Sequence, residues 1–301
     1  MKVGHAYSSG TKSLKIVSNF ILKLVASIAR MLPLPIIRAI YRIKPIANTV
    51  RSGLNWVSPR GLVQVRIAAG ELMGMRMELD LQLEKDYWLG TYEPELMAAI
   101  NDFVEPGMIA YDLGANVGYV TLMLANKVGC KGHVYAFEAL PENVERLRSN
   151  ISLNGMEGFV TLQALAVASQ SGWANFLIGP SIGMGKLDGS AGREQVVYLN
   201  SIPIESVSLD DFVYLRENRM PDVVKIDIEG GEILALLGME RILDEGRPVV
   251  LLELHGYEAA QVAWERFYKA NYRLFQMKPG LPQVYSLDEL DWKTYLIAKP
   301  G

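Results

Sequence analysis

The sequence predicts an α/β fold in which helices cover both faces of a mostly parallel sheet, giving a three-layer sandwich. Short apolar runs that end in glycine or an acid alternate with longer stretches whose apolar residues recur at helical spacing. That alternation builds parallel strands joined by helices. Several of the runs are continuously apolar, as strands buried on both faces are. A third feature sets the N-terminal part aside. Residues 1–70 carry eleven Lys and Arg and no acid, whereas residues 71–301 hold 19 bases and 33 acids. The expected organisation is a basic amphipathic helical arm over residues 1–50, a hairpin lead-in over 51–90 and the α/β domain over 91–301.

In the arm, Leu14, Val17, Phe20, Ile21, Leu24, Val25, Ile28 and Leu32 form a helical stripe. Lys15, Lys23 and Arg30 interrupt it, so no apolar run is long enough to span a bilayer. Residues 12–44 admit three readings. One is peripheral docking on an anionic membrane surface, where each base contributes roughly 1 kcal/mol. The second is a cap or homodimerisation arm packed on the acidic domain, and the third a cleaved transit peptide. Nucleic acid is not an expected partner, because the arm lacks the aromatic interleaving of a stacking platform. The single cysteine, Cys130, excludes an internal disulfide and a Cys-rich zinc site. It fits a reducing compartment, so the expected place is the cytoplasm, with peripheral contact at the inner membrane surface.

From Gly61 the pattern alternates. Leu62 to Ile67 and Met75 to Leu83 flank a turn at Gly70 to Gly74, which reads as a hairpin. Glu95 to Val104 reads as a short helix. Met108 to Leu113 is a buried strand, and Val117 to Val128 a helix. His133 to Phe137 is a second strand closed by Glu138, and Pro141 opens another helix with Val144, Leu147 and Ile151 on one face. Val160 to Leu165 is the third strand. Ala174 to Ile178 and Gln195 to Leu199 are strand-like around a glycine-rich loop, Gly179 to Gly192, which reads as a lid or a hairpin tip. Ser208 to Asp211 caps a helix. Asp222 to Ile228 and Pro248 to Leu254 are the fourth and fifth strands, followed by helices at Gly231 to Leu243 and Ala259 to Ala270. Tyr272 to Met277 and Thr294 to Ala298 close the sheet as an antiparallel edge pair.

The βαβα unit from Met108 to Asn154 carries the binding pattern. Asp112, Gly114, Asn116 and Gly118 form a D-x-G-x-x-x-G turn in a Rossmann-like unit, and ligands of such sheets lie beyond the carboxyl ends of the strands. A dinucleotide-binding turn has G-x-G-x-x-G, whose glycines let the backbone approach a pyrophosphate. Here an acid stands two residues before the first glycine, which would repel a phosphate and suits a cationic amino-acid group. Glu138, after the second strand, can accept hydrogen bonds from ribose hydroxyls. A nucleoside with an ammonium and no phosphate is S-adenosylmethionine.

The turn resembles motif I of the class I methyltransferases. Val223-Val224-Lys225-Ile226-Asp227-Ile228-Glu229-Gly230-Gly231-Glu232, with Val250 to His255 after it, resembles the signature of the FkbM-type methyltransferases. Gly90 to Glu95 and Glu105-Pro106-Gly107 match that family's approach to its first strand, and the resemblance runs from about Tyr87 to Ala298. It implies a seven-stranded sheet and S-adenosylmethionine as cofactor. Asp112, Gly114, Asn116, Gly118, Glu138 and Ala139 would line the cofactor site, with Tyr92 and Glu93 closing over it. The acceptor class it implies is a hydroxyl of a sugar, glycolipid or polyketide-type natural product. Ala166 to Gln170 departs from the family's run by lacking an acid, which removes one side-chain contact to the adenine.

Methyl transfer to a hydroxyl needs alignment, exclusion of water and a base. Candidates lie at the ends of the fourth and fifth strands: Lys225, Asp227, Glu229, Glu253 and His255. Alternation places Lys225, Asp227 and Glu229 on one face, and Glu253 and His255 likewise share a face. Lys225 is expected to pair with Asp227 or Glu253. Asp227, Glu229 and His255 are the expected catalytic residues, with His255 the candidate base because imidazole titrates near neutrality. No metal is assigned, since Asp227, Glu253 and His255 are the only ligands on offer. Two other readings stay open: a nicotinamide oxidoreductase, which the turn spacing disfavours, and a silent nucleoside-binding module, which the polar cluster disfavours.

Overall fold

A computed structural model describes residues 58–179, 185–190, 198, 200–291 and 293–301, with isolated positions between 27 and 55. The expectations for the arm at residues 12–44 lie almost wholly outside the described residues, as does much of the Gly179 to Gly192 loop. The chain divides into two compact units, Met1–Pro94 and Glu95–Gly301. No described helix is long and apolar enough to cross a membrane.

In the first unit, strands β1 (Leu62–Arg66) and β2 (Arg76–Asp80) pair antiparallel, from Leu62 opposite Asp80 to Arg66 opposite Arg76. Met77 and Leu79 face inward and are fully buried, while Leu62 is half exposed. A short helix not read from the sequence, α1 (Lys85–Leu89), follows and ends on the left-handed Gly90. Gly90 lies against the Ala69 carbonyl so closely that a Cβ would overlap it.

The second unit begins after Pro94 within α2 (Pro94–Phe103), the helix expected at 95–104. Its strands and helices then alternate. Strand β3 (Ile109–Leu113) leads to α3 (Tyr119–Val128), and β4 (His133–Phe137) to α4 (Pro141–Leu153) and β5 (Val160–Gln163). Next come β6 (Ala166–Val167), β7 (Gly172–Ile178), β8 (Gly185–Leu187), β9 (Asn200–Val207) and α5 (Leu209–Tyr214). Ser208 caps α5, its hydroxyl accepting from Asp211 N. Finally β10 (Val223–Ile226), α6 (Glu232–Leu237), β11 (Val249–Glu253), α7 (Tyr257–Lys269), β12 (Tyr272–Gln276), β13 (Gln283–Val284) and β14 (Tyr295–Pro300) complete the unit.

The main sheet has the order β13-β12-β14-β11-β10-β3-β4-β5. Strands β11, β10, β3, β4 and β5 pair parallel, while β14, β12 and β13 form an antiparallel edge. Among the described residues the sheet thus has eight strands where the resemblance implied seven. The extra one is the two-residue β13, which pairs on the outside of β12.

Period-2 geometry creates the three layers. Tyr111, Leu113, Phe137, Val224, Ile226, Val250 and Leu252 share one apolar cluster with Phe212 of α5, Ala235 and Leu236 of α6, and Ala263 and Phe267 of α7. The intervening residues face the other side, where the α3 hydroxyl of Thr121 meets Asp112. Tyr111, Tyr135, Phe137 and Phe212 pack edge to face, with ring centres 4.9–5.6 Å apart.

The strand expected at Gln195 to Leu199 lies outside the described residues apart from Tyr198, and strand β9 occupies Asn200–Val207. It joins β6, β7 and β8 in a separate four-stranded sheet of order β6-β9-β7-β8 that periodicity did not separate from the main one. Pro203 is tolerated because β6 reaches only Ser206 and Val207, leaving that edge of β9 open. The helix expected from Gly231 to Leu243 stops at Leu237, and one π turn follows at Ile242–Gly246. Gly238 lies where a Cβ would overlap the Ala168 carbonyl oxygen, so the chain passes there only as glycine.

Candidate functional site

The carboxyl ends of β3, β4, β10 and β11 meet at the turn after β3. Gly114, Asn116 and Gly118 have φ of 77°, 50° and 96°. A Cβ on Gly114 would overlap the backbone oxygen of Asp227, and one on Gly118 would lie 2.6 Å from Leu147 Cδ1. Gly114 is therefore required by close packing against backbone as well as by its left-handed φ, and Gly118 chiefly by its left-handed φ.

The donors of this turn are spent inside the protein. Gly114 N and Ala115 N donate to the Phe137 carbonyl at 3.0 and 2.9 Å, and Gly118 N donates to Ala115 O at 2.8 Å. Asn116 N donates to Glu138 Oε2 at 2.8 Å. A pyrophosphate needs such N–H groups pointing at it, so this turn does not suit one. Glu138 is buried, and its Oε1 accepts from Leu140 N at 2.9 Å and from Asn143 Nδ2 at 3.4 Å. Burial raises its pKa, and the hydrogen bonds from Leu140, Asn116 and Asn143 oppose the rise. Oε1 thus accepts twice, whereas Oε2 accepts only from Asn116 N and has a second lone pair left for an incoming hydroxyl. Ala139, beside it, packs against the apolar cluster of Leu140, Ala166 and Ala168.

Asp112 is fully buried below the turn. Lys225 Nζ lies 3.1 Å from its Oδ1, and Thr121 Oγ1 donates to its Oδ2 at 2.6 Å. The two charged residues are direct neighbours across the β3–β10 register. Lys225 also donates to the carbonyls of Leu113 and Gly114 at 3.2 and 3.0 Å. The sequence reading paired Lys225 with Asp227 or Glu253. Its near partner is Asp112, and Asp227 Oδ2 stands at 3.9 Å. The negative charge that the pattern reserved for a ligand's ammonium is met by this internal one.

Beyond β10 and β11 lies a second group. Strand β10 ends at Ile226 and Glu229 is left-handed, with φ 49°, so the alternation that put Lys225, Asp227 and Glu229 on one face does not reach Glu229. It is the turn that carries Glu229 to the cluster. His255 is the centre: Nδ1 lies 2.9 Å from Glu232 Oε1, and Nε2 lies 3.3 Å from Glu253 Oε1 and 3.8 Å from Glu229 Oε2. Glu232, wholly buried, also accepts from Gly230 N at 3.0 Å. Lys293 Nζ lies 2.6 Å from Glu253 Oε1. One ligand atom from each of Asp227, Glu253 and His255 falls within 4.8 Å of the others.

Charge state follows from this packing. Burial would lower the His255 pKa, but Glu232, Glu253 and the charge of Asp227 outweigh it and push it up to about 10. Burial would raise Glu253, yet His255 and Lys293 bring it down to about 2. Burial pushes Asp227 up to about 6 against the pull of Lys225. A ring that already holds both protons has no lone pair to offer, so His255 in this state is not a base.

Of the expected residues, the structure brings together Asp227, Glu229, Glu253 and His255, and separately Gly114, Asn116 and Gly118 with Glu138. Tyr92 and Glu93 belong to the first unit, where the Tyr92 ring meets Tyr87 edge-on at 4.7 Å and Glu93 has φ 36°. Sequence reasoning missed Glu232 and Lys293 as members of the cluster. Glu232 looks like an acid placed for a helix dipole, and Lys293 carries no motif.

The Methyltransferase FkbM domain profile matches residues 112–274. The hexuronic acid methyltransferase AglP of Haloferax volcanii is 28% identical over 163 residues, covering 54% of this chain and 62% of that protein. Protein-L-isoaspartate O-methyltransferase 1 of Arabidopsis thaliana is 34% identical over 76 residues, covering 24% of this chain and 33% of the relative. The chain thus spans less than two thirds of either relative's length. The crystal structure of methyltransferase FkbM from Methylobacillus flagellatus KT superposes with a TM-score of 0.41 at 17% identity, covering 72% of this chain and 53% of that one.

Proposed function

The chain belongs to the FkbM methyltransferase family, and from that premise we propose that it is an S-adenosylmethionine-dependent O-methyltransferase acting on a sugar hydroxyl. The observation that carries the cofactor side is the turn after β3. Four of its backbone N–H groups are spent internally, one of them on the carboxylate of Glu138. That arrangement fits a nucleoside without phosphate and disfavours a dinucleotide. When bound, S-adenosylmethionine supplies a methyl group already activated as a sulfonium: the acceptor oxygen forms the new C–O bond as the C–S bond breaks, its electron pair staying on sulfur.

The residues of this chain bind and align. Glu138 offers the remaining lone pair of its Oε2 to a ribose hydroxyl. The acceptor hydroxyl is set against the cluster at the ends of β10 and β11, where Asp227 and Glu229 are its two solvent-reaching carboxylates, at 19% and 37% exposure. They hold the hydroxyl and take its proton as the oxygen attacks. His255, locked between Glu232 and Glu253, positions those carboxylates.

The sugar acceptor is supported by the matched relative, which acts on a hexuronic acid. The test is transfer of radiolabelled methyl from S-adenosylmethionine to a panel of free and lipid-linked sugars with and without uronic acids. The expected result is label on a sugar hydroxyl in at least one uronic-acid-bearing member. Label only on an isoaspartyl peptide would overturn the sugar reading.

A further inference from the structure

We propose that Asp227, Glu253 and His255 form a binding site for one divalent cation that accepts both carboxylate oxygen and imidazole nitrogen, the Mn²⁺ class. The inference rests on the methyltransferase reading for its purpose, though not for its geometry. Two carboxylates and one imidazole converge so that a ligand atom from each lies within 4.8 Å of the others. A single ion placed among them displaces the Nε2 proton of His255 to solvent, which frees that lone pair, and draws the three side chains in. Carboxylate with imidazole is a donor set suited to Mn²⁺ and its neighbours, whereas the described residues offer no thiolate to the cluster.

The second observation is the orientation of His255. The side chain is 2% exposed, and its Nε2 is buried without a hydrogen bond, although Glu253 Oε1 stands at 3.3 Å and Glu229 Oε2 at 3.8 Å. Nδ1 is engaged from behind by the wholly buried Glu232 at 2.9 Å. A carboxylate behind one ring nitrogen and an unpartnered nitrogen aimed into a carboxylate pair is how proteins hold an imidazole ligand, since the rear acid fixes the ring and its tautomer. Nε2 faces two carboxylates with no hydrogen bond to either, a cost that packing for stability alone does not explain.

Charge agrees. Asp112, Asp227, Glu229, Glu232 and Glu253 bring five acids to this end of the sheet, and Lys225 and Lys293 bring two ammoniums. Lys293 holds Glu253 Oε1 at 2.6 Å, and at 39% exposure its flexible stem can swing to solvent when an ion takes that oxygen. With the cation in place the acceptor hydroxyl lies beside it and becomes more acidic. Its O–H bond breaks, the proton passes to Glu229, which stays outside the ligand set, and the oxygen attacks the methyl carbon.

The experiment is Mn²⁺ binding by the full chain. The free-ion signal in electron paramagnetic resonance is titrated, with S-adenosylhomocysteine binding measured by calorimetry on the same sample. The expected result is one Mn²⁺ per chain, weakened at least ten-fold in Glu253→Gln and in Asp227→Asn, and ten- to a hundred-fold in Glu232→Gln. Chelation should abolish methyl transfer and Mn²⁺ should restore it. Absence of Mn²⁺ binding by the unsubstituted chain, or equal binding by all the variants, overturns the site. Because the unsubstituted chain carries the first readout, poor folding of a variant cannot rescue the proposal. Mn²⁺ bound without S-adenosylhomocysteine would uphold the ion and sink the methyltransferase reading. The homologue bound without Mn²⁺ would do the reverse.

Discussion

Lys225→Met is expected to destabilise the protein by about 3–5 kcal/mol, because it leaves Asp112 as a buried charge without its cation. Lys225 and Asp112 are both almost completely buried and 3.1 Å apart. In such a pair the desolvation of each ion is offset only by the other, so losing one is far worse than losing both. Asp112 retains Thr121 at 2.6 Å, but one hydroxyl cannot replace an ammonium. The double variant Asp112→Leu with Lys225→Met should therefore cost clearly less than the two single variants summed. Urea denaturation of all three reads this directly. Additive losses would show that the pair contributes little and that each residue acts alone.

Asp227→Asn should lower kcat by about 10²- to 10⁴-fold, the scale of help in removing the acceptor's proton, whether given directly or by holding the cation that acidifies the hydroxyl, while the affinity for S-adenosylhomocysteine changes by no more than about three-fold. The amide keeps the shape of the side chain and removes the charge that faces the acceptor. Asp227 sits where β10 has ended, its N–H bound to Leu113 O at 3.2 Å, so the backbone is held by the sheet whatever the side chain is. A normal melting temperature with lost turnover is the expected pair of readings. Full turnover would remove Asp227 from the chemistry, and a collapsed melting temperature would make it a structural residue.

What could be read from sequence follows a physical pattern. An apolar run such as Val249 to Leu252 declared its strand because burial on both faces favours that composition, and Val223 to Ile226 reads the same way except at Lys225. Gly114 and Gly118 declared a left-handed turn, but not its reason. Their neighbours are Asp227 and Leu147, both distant in the chain. The partner of Lys225 was hidden for the same cause. Asp112 lies 113 positions earlier, and only the β3–β10 register brings it alongside. Glu232 was hidden by its place at a helix start, where an acid is expected anyway. Burial alone distinguishes it. The β6-β9-β7-β8 sheet escaped because alternation reports that a strand exists and not which sheet it joins. The role of His255 as a base was an inference from its ordinary pKa, and the three acids around it alter that pKa.

Titration of the full chain with S-adenosylhomocysteine by calorimetry is the most direct test, because the proposed activity depends on a phosphate-free nucleoside lying beside the turn after β3. The account predicts one-to-one binding, no heat with NAD, and at least ten-fold weaker binding in Glu138→Gln at unchanged folding, as loss of hydrogen bonds to a charged acceptor requires. Binding of NAD without the sulfur nucleoside, or binding of the latter unaffected by Glu138→Gln, would contradict it.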